Sequence, residues 1–271
     1  MARTSTEVTI ARRKLKLSNL DKVMYPATGF TKGDAVDYYR SIAQAMLPHI
    51  KDRAVTLKRF PDGVDEESFF EKQCPRHRPQ WIRTVPMSGR RKVEHCLLNT
   101  EAALVWVANL ASLELHVTLA KRRDVTRPRV MVFDLDPGPP ADIVDCAEVG
   151  LEIRDTLDDL GLRCLPKTSG SKGLQIYVPL NRPRLSFDAT KSWAHSLATL
   201  LADRHPDRIL TSQARAKREG KVLVDWGQND THKTTVCAYS LRAKQRPTVS
   251  TPVTWEEVRR AAETGRAELL S

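Results

Sequence analysis

Val130-Met131-Val132-Phe133-Asp134-Leu135-Asp136-Pro137-Gly138 ends an apolar, β-prone run with two carboxylates two residues apart. On a strand, residues i and i+2 share a face, so Asp134 and Asp136 project together while Phe133 and Leu135 turn into the core. Neighbouring carboxylates repel unless a cation lies between them. Oxygen-only ligands suit magnesium or manganese, the ions of phosphoryl and nucleotidyl transfer. The competing reading is a strand end running into a Pro137-Gly138 turn. Thr168-Ser169-Gly170-Ser171-Lys172-Gly173-Leu174-Gln175 adds two hydroxyls, a lysine and glycines that let backbone N–H groups approach a phosphate. It lacks the Walker A spacing. In Lys221-Val222-Leu223-Val224-Asp225-Trp226 a single carboxylate interrupts a strand-like run. Such a group is costly unless paired or metal-bound, which makes Asp225 the natural third oxygen ligand, the competing reading being a strand-end Asp bonded to a nearby Arg.

The elements that must position these groups alternate along the chain. Thr31-Lys32-Gly33-Asp34 is a capping-box pattern opening a helix that continues through Val36, Tyr39, Ala43, Met46 and Leu47, with Pro48 near its end. Strands are expected at 54–60, 129–136, 163–166, 174–180 and 222–226, and helices at 101–113, 142–160 and 189–203. A last helix opens at Thr254 and stops at Gly265. The first residues, to about Lys14, read as a frayed basic arm, and 247–252 as a loop. The expected fold class is α+β, with mixed or antiparallel central sheets flanked by helices in one domain spanning 1–271. Residues 1–120 form its N-terminal part and 121–271 its catalytic core.

Lys and Arg number 44 against 33 acidic residues, a net charge of +11. That points to a polyanionic partner, nucleic acid before membrane, because no basic amphipathic helix or membrane-length apolar run is present. Five cysteines without a CxxC pair read as reduced thiols of a cytoplasmic protein. Cys74-x-x-His77 with His95-Cys96 has zinc-ligand residue types but poor chelate geometry.

Asp134-Leu135-Asp136, Ser169–Gln175 and Val224-Asp225-Trp226, in that order, resemble motifs I to III of the bacterial ligase D polymerase domains, members of the archaeo-eukaryotic primase superfamily. The likeness extends to Asn19–Pro26, Phe69–Gln73, Leu113–His116, Asp225–Asn229 and Tyr239–Arg242. It implies a primase-polymerase fold and a template-dependent nucleotidyltransferase for gap filling and end extension in DNA repair, preferring ribonucleotides. It makes Asp134, Asp136 and Asp225 the ligands of two Mn²⁺ or Mg²⁺ ions. Ser169, Lys172, Gln175, Arg242 and Lys58 then contact the nucleotide, and His116 lies near its sugar. Asn19, Lys22 and Lys32 match a grip on the downstream 5′-phosphate, Arg59 faces the template, and Phe69 or Phe70 stacks on a template base. Implied partners are gapped or broken DNA, nucleoside triphosphates, Ku and a separate ligase. A nucleoid-associated monomer is expected. Where many relatives carry His, this chain has Gln175, which can donate a hydrogen bond but cannot carry charge. The alternatives are a haloacid-dehalogenase-like phosphatase, disfavoured by Pro137 after the second Asp, and a non-catalytic nucleic-acid-binding module.

Overall fold

A computed structural model describes residues 5–87, 92–181 and 185–270. The chain forms two compact units, one comprising residues up to Thr118 with Thr234–Val249, the other Leu119–Lys233 with the residues from Ser250 on. Each mixes helices with mainly antiparallel sheet, an α+β architecture with six α-helices among the described residues. Among the described residues no helix is long and apolar enough to cross a membrane.

The second unit is built around the carboxylate strand, Val130–Pro137. It is the middle of five, with Leu174–Pro179 and Val222–Asp225 antiparallel on its two sides. Leu165–Thr168 lies outermost on one edge, and Ile209–Leu210 pairs in parallel at the other. Met131, Phe133 and Leu135 are buried against helix Ile143–Asp159, which carries Cys146, Val149 and Ile153. Val132 turns to the opposite face, against Leu119, Ala120 and Phe187. Burying each of these large side chains contributes about 2 kcal/mol. That pins the register, since a one-residue slip would drive both carboxylates into the core.

In the first unit, strands Val55–Arg59, Phe69–Glu71, Thr84–Met87, Val93–Cys96, Ser112–Val117 and Thr235–Val236 make a six-stranded sheet. Helices Lys32–Ser41, Ala43–Ile50 and Glu101–Asn109 supply Tyr39, Met46, Leu104 and Val107 to its core.

Several expectations change. The first four residues of the expected arm lie outside the described residues, but the rest is not frayed. Ser5–Ile10 and Arg13–Ser18 form a β-hairpin whose Ile10, Leu15 and Leu17 are buried. The alternation is only two apolar residues per strand, too short to outweigh the charge around it. The helix expected to reach Leu113 ends at Asn109, because Ala111 takes a left-handed φ of 58° and Ser112 opens a strand. The strand expected at 163–166 runs Leu165–Thr168, and Pro247–Val249 pairs with Leu241–Ala243 instead of looping. Cys74 and Cys96 are joined in a disulfide, their Cα atoms 4.9 Å apart, so they are neither free thiols nor zinc ligands. They are 22 positions apart in the chain. Only the fold, through Cys74 N–H donating to the Glu94 carbonyl, brings them together. Cys146, Cys164 and Cys237 are buried and lie outside the disulfide.

Candidate active site

The register of the five-stranded sheet draws Lys167, Gln175, Asp134 and Asp225 into one row across four strands. Directly paired residues point to the same face, so Gln175 and Asp225 flank Asp134. Gln175 Nε2 donates to Asp134 Oδ1 at 3.0 Å, and the Tyr177 hydroxyl donates to Gln175 Oε1 at 3.3 Å, which fixes the amide's orientation. Asp225 accepts from the Gly227 backbone N–H and from Gln228 Nε2, both at 2.8 Å. Asp136 is exposed, with Arg218 Nη1 3.5 Å from its carboxylate. Burial, reinforced by the charges of Asp225 and Asp136, pushes the Asp134 carboxyl up to about 6 against the pull of Gln175 and Lys167.

The donor set is all oxygen, and its negative charge is only partly met by protein cations. That is the chemistry of a hard divalent cation. Among the described residues no three His, Cys, Asp or Glu side chains converge as a preformed cage.

The Ser169–Gly173 turn abuts the same strand. Ser169 Oγ accepts from the backbone N–H groups of Ser171 and Gly173, and Lys172 stands exposed at the tip. A Cβ on Gly173 would overlap the Leu135 carbonyl oxygen, and one on Gly138 the Arg218 carbonyl oxygen. These two glycines therefore serve close packing, Gly173 against the residue between the two carboxylates and Gly138 just beyond them. Gly173→Ala is expected to cost about 3 kcal/mol or more, because backbone must move. Thermal unfolding should show a midpoint roughly 10 °C lower; an unchanged midpoint would mean the turn relaxes freely.

In the first unit a second cluster surrounds Glu114, which is 2% exposed. It accepts from His116 Nε2 at 2.9 Å and from the Ala243 N–H at 3.1 Å, with Arg242 Nε at 3.5 Å and Lys58 Nζ at 3.8 Å. Burial alone would raise the Glu114 carboxyl, but the His116 bond and Arg242 hold it at about 2. Burial lowers His116 against the pull of Glu114, and Nε2–H faces the Glu114 carboxylate as donor, which in the neutral ring leaves Nδ1 as the acceptor. Phe69 and Phe70 are 45% and 58% exposed, not core. Phe70 meets His116 edge-on at 5.5 Å, and Lys58 lies 5.5 Å from the Phe70 ring. Arg59 lies over Phe69 while bonding Glu71 and the Leu110 carbonyl.

The third group is Asn19, Lys22 and Lys32. Asn19 takes a left-handed φ of 51°, Lys22 N–H donates to its carbonyl, and Lys32 N–H donates to the Lys22 carbonyl. Lys32 is buried and donates to the Asn109 carbonyl at 3.1 Å, and burial together with Lys22 lowers its ammonium. Lys22 pairs with Asp62 at 2.6 Å. Lys32 is thus a buried cation held beside a second lysine, not a solvated surface charge.

Sequence reasoning passed over Glu114, Lys167, Tyr177 and Arg218. For Glu114 and Lys167 a signal existed: each is a charge inside a strand-like run, the same signal that marks Asp225. Arg218 comes from a distant loop and has none.

Residues 31–270 match the family model described as LigD, primase-polymerase domain. The chain is 43% identical over 251 residues to the multifunctional non-homologous end joining protein LigD of Mycolicibacterium smegmatis, covering 90% of this chain and 32% of that protein. It is 31% identical over 245 residues to the bifunctional non-homologous end joining protein LigD of Bacillus subtilis, covering 90% and 39%. It thus spans about a third of the length of the curated relatives it matches. Its fold is similar to the solved polymerase domain from Mycobacterium tuberculosis ligase D in complex with DNA. That match has a TM-score of 0.86 and 38% identity, covering 94% of this chain and 97% of that one.

Proposed function

The chain belongs to the LigD primase-polymerase domain family, and from that premise we propose that it is a metal-dependent, template-directed nucleotidyltransferase that fills gaps and extends ends in DNA repair. The observation that carries this is the register that sets Asp134 beside Asp225, with Asp136 two residues on. Family membership and antiparallel neighbours on both sides of the carboxylate strand set aside the phosphatase alternative.

Asp134, Asp136 and Asp225 are the residues to hold two Mn²⁺ or Mg²⁺ ions, which when bound activate the primer 3′-hydroxyl and neutralise triphosphate charge. Gln175 holds Asp134 in place through the amide that Tyr177 orients, and Gly227 and Gln228 hold Asp225. Gln175 therefore acts on a carboxylate; charge for the triphosphate falls to Lys172, with Ser169 as a hydroxyl contact. Phe69 and Phe70, exposed on one short strand, offer a stacking surface for a template base.

Because Glu114 engages His116 Nε2, the ring presents Nδ1 as an acceptor for a ribose 2′-hydroxyl. His116→Ala should narrow the difference between ribo- and deoxyribonucleotide incorporation severalfold; an unchanged ratio would remove the sugar-reading role.

Asn19, Lys22 and Lys32 take the 5′-phosphate on the far side of a gap. Lys22→Ala should weaken binding to gapped DNA about tenfold when the 5′-phosphate is present and little when it is a hydroxyl. An equal loss on both would make it a generic backbone contact.

The functional reading itself is tested by primer extension on gapped, overhanging and unprimed DNA, with ribo- and deoxyribonucleotides, in manganese and in magnesium. Template-directed addition on gapped DNA supports it; addition that ignores the template contradicts it. Ku and a separate ligase are the partners this role calls for.

A further inference from the structure

The hairpin Ser5–Ser18 precedes the residues that the family model matches. It carries four cations, Arg12, Arg13, Lys14 and Lys16, against one carboxylate, Glu7. Its pairing sorts these residues by face. Val8 pairs Leu15 and Ile10 pairs Arg13 on the inner side, whereas Thr9 pairs Lys14 and Glu7 pairs Lys16 on the outer side. Ile10, Leu15 and Leu17 are buried, and Arg12, Lys14 and Lys16 are exposed.

The hairpin is anchored, not frayed. Arg13 lies 4.4 Å over the Trp81 ring and donates to Thr100 Oγ1 at 2.6 Å. Ala11 and Arg12 are both left-handed, the two-residue turn whose twist matches paired strands.

Asn109 then ties the hairpin to the lysine pair. Its side chain accepts from Ser18 N–H at 3.0 Å and donates to the Lys16 carbonyl at 3.2 Å, while its own carbonyl accepts from Lys32 Nζ at 3.1 Å. Asn19 and Lys22 follow directly after the hairpin in the chain. The exposed cations thus lead away from the Lys22–Lys32 seat along a rigid strand.

We propose that the outer face of this hairpin is a rail for the DNA duplex downstream of the gap, holding the phosphate backbone beyond the 5′ end. The proposal rests on the reading of Asn19, Lys22 and Lys32 as the 5′-phosphate grip. The occupant follows from charge and spacing. Lys14 and Lys16 are two residues apart on one strand face, about 7 Å, and so contact successive points along a backbone. They offer no aromatic platform or donor–acceptor pattern for reading bases. Glu7 is the carboxylate on that face and partly offsets Lys16.

The test uses the full chain with Lys14→Gln and Lys16→Gln together, both exposed, so that folding is not at stake. Affinity is measured on gapped DNA with a downstream 5′-phosphate, on the same DNA with a 5′-hydroxyl, and on primer–template without a downstream strand. We expect about tenfold weaker binding to both gapped DNAs, equal for the two 5′ ends, and a salt slope smaller by about 2. Binding without a downstream strand should not change. An equal loss on all three DNAs, or no loss on any, overturns the rail. A loss confined to the 5′-phosphate DNA also overturns it, by placing these lysines in the grip itself. The grip fails separately, if the unaltered protein shows no preference for a 5′-phosphate.

Discussion

Asp134→Asn is expected to lower nucleotide addition by about a thousandfold or more, while DNA binding is retained and the metal-free protein becomes more stable. The first part follows from the loss of the carboxylate at the centre of the row, since metal-borne charge stabilisation supplies several kcal/mol to such reactions. The second follows from the position of the group. Asp134 sits among packed neighbours with part of its surface open, and burial and two nearby carboxylates push its carboxyl up to about 6. At neutral pH without metal, the folded protein therefore holds a charge it disfavours, at a cost on the order of 2 kcal/mol. Asparagine keeps the shape, and its Oδ1 can still accept from Gln175 Nε2. Activity and melting temperature should thus move in opposite directions in the presence of a chelator. If the variant melts lower than the parent, Asp134 is a structural residue and its neighbours are not poised for a cation.

Glu114→Ala is expected to destabilise the first unit by about 3 kcal/mol, because it leaves Arg242 and His116 around an empty buried site. The size follows from the fall of the Glu114 carboxyl from 4.5 to about 2, in a side chain almost wholly buried. Its folded-state value lies below the unfolded one, so the ionised form is favoured by folding. The stabilisation is complete above about pH 4.5 and is lost as pH falls through about 2. Denaturant unfolding should show parent and variant far apart at neutral pH and converging in acid. A difference that is constant with pH would mean the loss is one of packing and not of charge. The same change frees His116 to turn, so discrimination between ribo- and deoxyribonucleotides should weaken with it. That couples the stability effect to a specificity effect in one residue.

The parts of this molecule legible in the sequence are those decided by short-range rules. The i, i+2 carboxylates of Asp134 and Asp136 do lie off the core face, with Phe133 and Leu135 buried. Thr31 with Asp34, Asp142 with Asp145 and Thr254 with Glu257 close capping boxes, and Gly161 and Gly265 take the left-handed backbone that ends their helices. The pairing of Asp134 with Asp225 was legible only as chemistry: a carboxylate in a strand needs a reason. Its register partner lies 91 positions further along the chain. The failures have the same root. The Cys74–Cys96 bond, the Gln175 amide on Asp134 and the return of Thr234–Val249 to the first unit are set by tertiary approach. The basic hairpin is hard to read from sequence because four charges in a short stretch outweigh a brief apolar alternation.

The central claim is that Asp134, Asp136 and Asp225 together hold divalent cations for nucleotide addition. Titration of the chelator-treated protein with Mn²⁺, followed by the paramagnetic resonance of the free ion, tests it without any DNA or nucleotide. Saturable Mn²⁺ uptake is expected for the parent protein and its loss in Asp225→Asn, with the fold intact by circular dichroism. Equal uptake by the parent and Asp225→Asn would contradict it.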